Sequence, residues 1–211
     1  TARNICFIPV RKNSKEIKGK NMKELAGKPL IAHILETIIV SGIADEIWVA
    51  TDWDYLKKYV RETFGRKVQV YNRNPENATD TSPTIDVVQE FLDKRNYAFS
   101  DNFILLQATS PFTTSEELSN LKTILRNDTY DSIVSCCRLK RFRWSENGTS
   151  LDYDLKTKQR RQEYNGFLIE SGSFYVSKAG LIKGTRQLLS GRIFPFEVSY
   201  EAFIELDNPL D

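Results

Sequence analysis

A chain of 211 residues, 40% of them hydrophobic, has the size of one domain and enough apolar material to bury a core. Lys+Arg 30 against Asp+Glu 28 leave a net charge of +2, a balance that calls for neither a nucleic-acid partner nor a membrane surface. Three cysteines exclude an even-numbered disulfide framework, a single histidine (His33) excludes histidine-rich metal sites, and no stretch approaches the ~20 apolar residues of a membrane span.

The opening run TARNICFIPV lacks the charged-then-apolar layout of a signal peptide, and its segment 5–10 reads as a first strand. Leu30, Ile31, Ile34, Leu35, Ile38 and Ile39 then form one helical face that ends at Gly42. Strands follow at 46–51 and 67–72. Behind Pro83 comes a second helical stripe of Ile85, Val88, Phe91 and Leu92. The uniformly apolar NFILLQ (102–107) is a strand buried on both faces, and Leu118, Leu121, Ile124 and Leu125 mark a third helix with Thr114 or Ser115 as its N-cap. SIVSCC (132–137) is another strand, whose adjacent Cys136 and Cys137 read as buried thiols of a reducing, cytoplasmic compartment. Residues 138–165 are polar, basic and turn-rich, an excursion from the sheet, before FLIESGSFYV (167–176) resumes the core.

Alternating strands and helices predict a single α/β domain over 1–211, a Rossmann-like open and mostly parallel sheet with helices on both faces. Such sheets bind ligands outside the carboxyl ends of their strands, which singles out the loops 11–23, 73–84 and 107–114.

Loop 11–23 carries Arg11, Lys12, Lys15, Lys18, Lys20 and Lys23 against Glu16 alone. Cations gathered directly after a first parallel strand suit a polyphosphate, although a solvated basic loop has the same composition. The loop matches neither the Walker A nor the dinucleotide glycine pattern; Gly19 is its one glycine. Arg73, Thr81, Ser82 and Thr84 offer polar groups at a further strand end, where Arg73 can meet a pyrimidine carbonyl or cap a loop. Gln107 with Thr109 and Ser110 suits sugar hydroxyls or a base edge. Near the tail, Glu205 and Asp207 flank Leu206; read as a strand, the two carboxylates share a side and can converge on Mg²⁺, while an exposed acidic pair is the plainer alternative.

Taken together, Arg11-x-x-Ser14-Lys15 with Lys20-Asn21, ATD (50–52), Arg73 with Asp80-Thr81 and Thr84, LLQATSP (105–111), RFRWSE (141–146), RRQ (160–162), ESGSFY (170–175) and IELD (204–207) resemble, in order and spacing, the CMP-sugar synthetases. The N-acylneuraminate cytidylyltransferases are the nearest in kind. The resemblance covers nearly the whole chain and implies a nucleotidyltransferase that joins CTP to a nonulosonic acid and releases pyrophosphate. Arg11, Ser14, Lys15, Lys20 and Asn21 would hold the nucleotide's phosphates and ribose, and Arg73 and Thr84 would select cytosine. Gln107, Arg161 and Ser171 would contact the sugar acid, Glu205 and Asp207 would carry Mg²⁺, and Arg11, Lys20 and Asp207 would serve the chemistry. Segment 138–165 resembles the family's dimerisation segment, which reaches the partner's active site, so a homodimer is expected. Three residues depart from the family's usual pattern: Glu16 for Gly, Glu205 for Asp and Ser171 for Asn. KDN, legionaminate, pseudaminate or Kdo are alternative acids, and a nucleotide-binding module without catalysis is the alternative from another class.

Overall fold

The computed structural model describes residues 2–12, 17–79 and 82–206. In chain order the elements are β1 (Asn4–Val10), β2 (Glu24–Leu25), β3 (Lys28–Pro29), α1 (Leu30–Ser41), β4 (Glu46–Thr51), α2 (Asp54–Phe64), β5 (Gln69–Asn72) and α3 (Thr84–Asp93). There follow β6 (Asn102–Leu106), α4 (Ser115–Arg126), β7 (Ser132–Leu139), β8 (Phe167–Lys178), α5 (Ala179–Thr185) and β9 (Ile193–Val198). β2 and β3 make a small hairpin of their own. The other strands form one seven-stranded sheet in the order β5-β4-β1-β6-β8-β7-β9. All its pairings are parallel except those of β8, which runs antiparallel to both β6 and β7.

Period-two alternation along β1 assigns the helices to faces. Cys6, Ile8 and Val10 point to one side, where α1, α2 and α4 bring Ile31, Leu35, Leu56, Val60 and Leu118. Ile5 and Phe7 point to the other, against α3 and α5. Phe91 of α3 is the hub of that second core, with the rings of Phe7, Trp48, Tyr71, Tyr97 and Phe103 around it at centroid distances of 4.8 to 6.2 Å. The free thiols of Cys6, Cys136 and Cys137 are buried, and burial raises the pKa of each.

Three features position the functional groups. From β1 the chain winds outward through β4 to β5 and then returns to the opposite flank at β6, so the direction of winding reverses between β1 and β6. The loops leaving the carboxyl ends of those two strands diverge there and open a crevice. The second feature is a break in the β7–β8 ladder: the register jumps from Val134↔Tyr175 to Cys136↔Glu170, so residues 171–174 of β8 face Ser135 alone. The third is the excursion between β7 and β8. It folds on itself around Phe142, Tyr153 and Tyr164, and Arg143 makes 2.7 and 3.1 Å hydrogen bonds to Oδ1 of Asp152. That pairing holds the Asp152 carboxyl at about 2.

The expected strands and helical faces all occur, with the 67–72 strand shortened to β5 behind a 3₁₀ turn. One expectation is corrected. The segment carrying Glu205 is not a strand: a 3₁₀ turn (Glu201–Phe203) leads into residues 204–206, which lie in no ladder. The same-side argument for Glu205 and Asp207 therefore lapses, and Asp207 lies outside the described residues.

α4 begins with a reciprocal capping box, in which Glu117 N–H donates to Thr114 Oγ1 (3.1 Å) and Thr114 N–H donates to Glu117 Oε2 (2.9 Å). Thr114→Ala is expected to cost about 1 kcal/mol, read as a lower urea midpoint at unchanged slope. An unchanged midpoint would contradict the box.

Candidate active site

A cleft of about 380 Å³ opens at the carboxyl ends of β1 and β6. Its walls include Arg11, Lys20, Asn21, Arg73, Thr84, Gln107 and Glu205, contributed by every loop singled out from the sequence and by the tail. The basic loop and the acidic tail thus share one cavity.

On the first wall, β1 ends at Val10 and delivers Arg11, whose Nη1 donates to Thr79 O (2.9 Å), while Lys12 N–H donates to Asp52 Oδ1 (2.8 Å) at the end of β4. Farther along, Gly19 takes a left-handed conformation (φ 66°) that starts the 3₁₀ turn Lys20–Met22. The Trp53 indole packs against Gly19, since a Cβ there would sit 3.3 Å from the ring. This turn aims Lys20 and Asn21 inward. Lys12, Lys18 and Lys23 are exposed and line no part of the cleft, so much of the loop's charge run is a solvated face. Ser14 and Lys15 fall outside the described residues.

Two buried polar groups stand out. Arg73, 8% exposed, donates through one terminal nitrogen to Asn77 O, and its Nε has no acceptor among the described residues. Burial lowers its pKa, with the Arg11 charge acting in the same direction and Asp52 against it; an arginine nonetheless stays protonated at neutral pH. Asn21, also 8% exposed, has an Oδ1 with no donor among the described residues. Buried polar atoms are nearly always paired, so unpaired ones in a cleft wall mark where a ligand completes the set. Thr84 opens α3, whose first-turn N–H groups favour negative charge nearby.

The opposite wall is neutral. Gln107 is anchored by its N–H to Ser173 O (3.1 Å), and Thr109, Gly172 and Tyr175 complete the surface. Burial first, then a 2.9 Å hydrogen bond to Glu170 and the nearby Glu205 charge, push the Tyr175 phenol up to about 12, so it lines the cleft as a neutral group. Ser171 does not line it. Its hydroxyl is buried within hydrogen-bond distance of Ser135 Oγ (2.8 Å) and Ser173 Oγ (3.1 Å), stitching the β8 break together; Gly172 reaches the cavity in its place. Arg161 is exposed on the excursion and lines a separate hollow with Arg138, Lys140 and Arg141, so it does not meet this chain's own cleft. Tyr175 and the buttressing Trp53 and Asp52 were not singled out as functional from the sequence; the motifs ESGSFY and ATD contain Tyr175 and Asp52, and Trp53 lies just beyond ATD.

Glu205 reaches the cleft because the tail is tied on both sides. Leu206 N–H donates to Thr109 O (2.9 Å), and Lys20 Nζ donates to Leu206 O (3.2 Å). Its carboxylate occupies space that only a glycine at position 172 leaves open: a Cβ there would lie 1.6 Å from Glu205 Oε1, and φ is 76°. Gly172→Ala is expected to displace the carboxylate and to cost about 1–2 kcal/mol from the left-handed backbone alone. Urea unfolding and a structure of the variant check both; a variant of native stability with Glu205 in place would refute the contact.

The profile of the cytidylyltransferase family matches residues 5–203. N-acylneuraminate cytidylyltransferase of Oncorhynchus mykiss is 35% identical over 212 residues, covering 97% of this chain, which spans about half (48%) of that protein's length. CMP-N,N'-diacetyllegionaminic acid synthase of Legionella pneumophila is 32% identical over 99% of this chain and 93% of its own. The solved structure of CMP:2-keto-3-deoxy-manno-octonic acid synthetase complexed with CTP superposes with a TM-score of 0.72 at 19% identity, covering 99% of this chain and 95% of the other, a likeness of fold. With the matched segment running from β1 to the turn before Glu205, the chain belongs to the cytidylyltransferase family.

Proposed function

We propose that this chain is a cytidylyltransferase that activates a nonulosonic (sialic-type) acid with CTP. The observation that carries the reading is the cleft itself: cations, a buried guanidinium whose Nε has no acceptor among the described residues, a buried amide oxygen with no donor among them, and a carboxylate meet at the sheet's switch point. Relatives named for N-acylneuraminate and N,N'-diacetyllegionaminate support the acid class.

The anomeric hydroxyl oxygen of the acid bonds to the α-phosphorus of CTP, the bond to the pyrophosphate oxygen breaks, and the hydroxyl proton passes to solvent water. Such chemistry asks mainly for alignment and for neutralisation of developing charge. Arg11 and Lys20 hold the phosphates and take up charge gathering on the leaving pyrophosphate, with Asn21 at the ribose and Arg73 and Thr84 at the cytosine. By family resemblance, Ser14 and Lys15 extend the phosphate grip and Asp207 serves as the catalytic carboxylate. Gln107, with Thr109, Gly172 and Tyr175, receives the acid. The Glu205 carboxylate beside a polyphosphate is a hard-oxygen donor set of the kind Mg²⁺ takes, so the residues fit that ion, with Asp207 as its second carboxylate by resemblance. When bound, Mg²⁺ supplies charge neutralisation on the phosphate oxygens.

A homodimer through the 138–165 segment belongs to the same reading. Trp144, Leu151 and Leu155 of this excursion are 51%, 56% and 69% exposed, an apolar surface suited to a second copy. Arg161 would then serve the acid carboxylate in the partner's cleft through its bidentate fork. Buried free thiols and a need for CTP fit the cytoplasm.

The test is pyrophosphate release from CTP with Neu5Ac, KDN, legionaminate, pseudaminate and Kdo side by side. Release with at least one sialic-type acid, abolished by a chelator and restored by Mg²⁺, is expected. Calorimetric CTP binding with no turnover on any acid would instead describe a nucleotide-binding module. Lys20→Ala should lower kcat roughly 10²–10³-fold with a smaller change in CTP affinity; near-normal kcat would contradict its role.

A further inference from the structure

We propose that Glu90, a residue of α3 that does not line the cleft, is the positioning residue that sets Arg73 for the nucleotide. The proposal rests on the reading of the cleft as a CTP site and names what holds its base-side cation in place.

The Glu90 carboxylate gathers donors from three places. Oε1 accepts from Tyr71 Oη on β5 (2.6 Å) and from Lys94 Nζ (3.0 Å). Asn74 N–H lies within 3.2 and 3.3 Å of its two oxygens, and Oε2 accepts from Asn77 Nδ2 (2.7 Å). Asn74 is the N-cap of the 3₁₀ turn Pro75–Ala78, accepting from Glu76 N–H, and Asn77 is the third residue of that turn. Arg73 immediately precedes the capping Asn74 and donates to the carbonyl of Asn77. One carboxylate therefore holds both the cap and an inner residue of the turn on which the buried guanidinium leans, and it does so from a helix 13 to 16 residues downstream.

The geometry separates positioning from bulk stability. Without the carboxylate, Asn77 Nδ2 and Asn74 N–H lose their shared acceptor and the turn is free to withdraw its carbonyl from Arg73. The carboxylate's hydrogen bonds go to Tyr71, Asn74, Asn77 and Lys94, none of which lines the cleft, so reaction at saturating CTP has no reason to suffer. A glutamine at this position keeps a carbonyl acceptor for part of the set.

The experiment compares wild type, Glu90→Ala, Glu90→Gln, Asn77→Ala and the Glu90→Ala/Asn77→Ala pair by CTP calorimetry, steady-state kinetics and crystallography. Thr114→Ala, which lies on another helix, reports the effect of lost stability alone. Expected are a CTP Kd raised about tenfold in Glu90→Ala, the equivalent of about 1.4 kcal/mol, with kcat within about twofold of wild type. Partial rescue in Glu90→Gln and a double variant no worse than Glu90→Ala should accompany it. Wild-type affinity in Glu90→Ala, fully additive effects of the pair, or a loss matched by Thr114→Ala would overturn the proposal. If wild type binds no CTP, the nucleotide reading fails separately. Positioning is then decided by the structure of Glu90→Ala, where Arg73 keeping its bond to Asn77 O refutes it and losing that bond supports it.

Discussion

Like charges must be held together before any ligand arrives to neutralise them. Two unit charges roughly 4 Å apart repel by about 4 kcal/mol at the effective dielectric near a protein surface, and this cleft gathers Arg11, Lys20 and Arg73 on one wall. The structure meets that constraint by giving each cation a backbone carbonyl. Arg11 donates to Thr79 O, Lys20 to Leu206 O and Arg73 to Asn77 O. Each carbonyl belongs to a different segment from the loop that bears Arg11 and Lys20, so the same bonds that tether charge also assemble the cavity from distant parts of the chain. A ligand that carries its own negative charge then binds to a wall already in place, which limits the ordering cost of association.

The opposite wall obeys a steric constraint rather than an electrostatic one. A regular β7–β8 ladder would send every β8 residue to one face or the other in strict alternation and leave no backbone turned toward the cleft. The break opposite Ser135 releases Gly172, while the hydroxyls of Ser135, Ser171 and Ser173 take over polar groups that the ladder no longer pairs. Ser173 Oγ also donates to Ala202 O (2.8 Å), carrying the stitch to the turn that leads to Glu205. A buried hydroxyl cluster thus fixes both the glycine that yields space and the carboxylate that uses it.

Elements with a clean apolar period were legible in the sequence. β1, β4, β6, α1, α3 and α4 stand where their runs or stripes predicted, because each buries its side chains against a core spanning many neighbours. α2 left little trace, since Leu56 and Val60 are its only buried residues among charged ones. β9 is an edge strand with Pro195 inside it, and proline counts against a strand unless an edge is known. Among residues that line the cleft, Arg11, Lys20, Arg73 and Gln107 were legible because loops after parallel strands converge by topology alone, whereas Glu205 was reached through a strand argument that the 3₁₀ turn before it removes. Ser171 was misplaced by one residue, because which member of a bulge faces the cavity depends on the register jump. Glu90 carried no signal, since Tyr71, Asn74 and Asn77 lie 13 to 19 residues upstream of it and meet it only once α3 packs on β5.

The distribution of charge around the cleft bears on how many copies of the chain a complete site requires. Among the described residues, Arg11, Lys20 and Arg73 all stand on the cationic wall, whereas Gln107, Thr109, Gly172 and Tyr175 offer no cation. Under the proposed function the second substrate carries a carboxylate, and Glu205 adds a negative charge beside its wall. A desolvated carboxylate facing only neutral groups and a like charge is strongly disfavoured. Meanwhile Arg138, Lys140, Arg141 and Arg161 gather in a hollow of the same chain that holds Glu197 as its carboxylate. A surplus of cations around that hollow and a deficit at the neutral wall are complementary, and under the proposed function an exchange of excursions between two copies would relieve both at once.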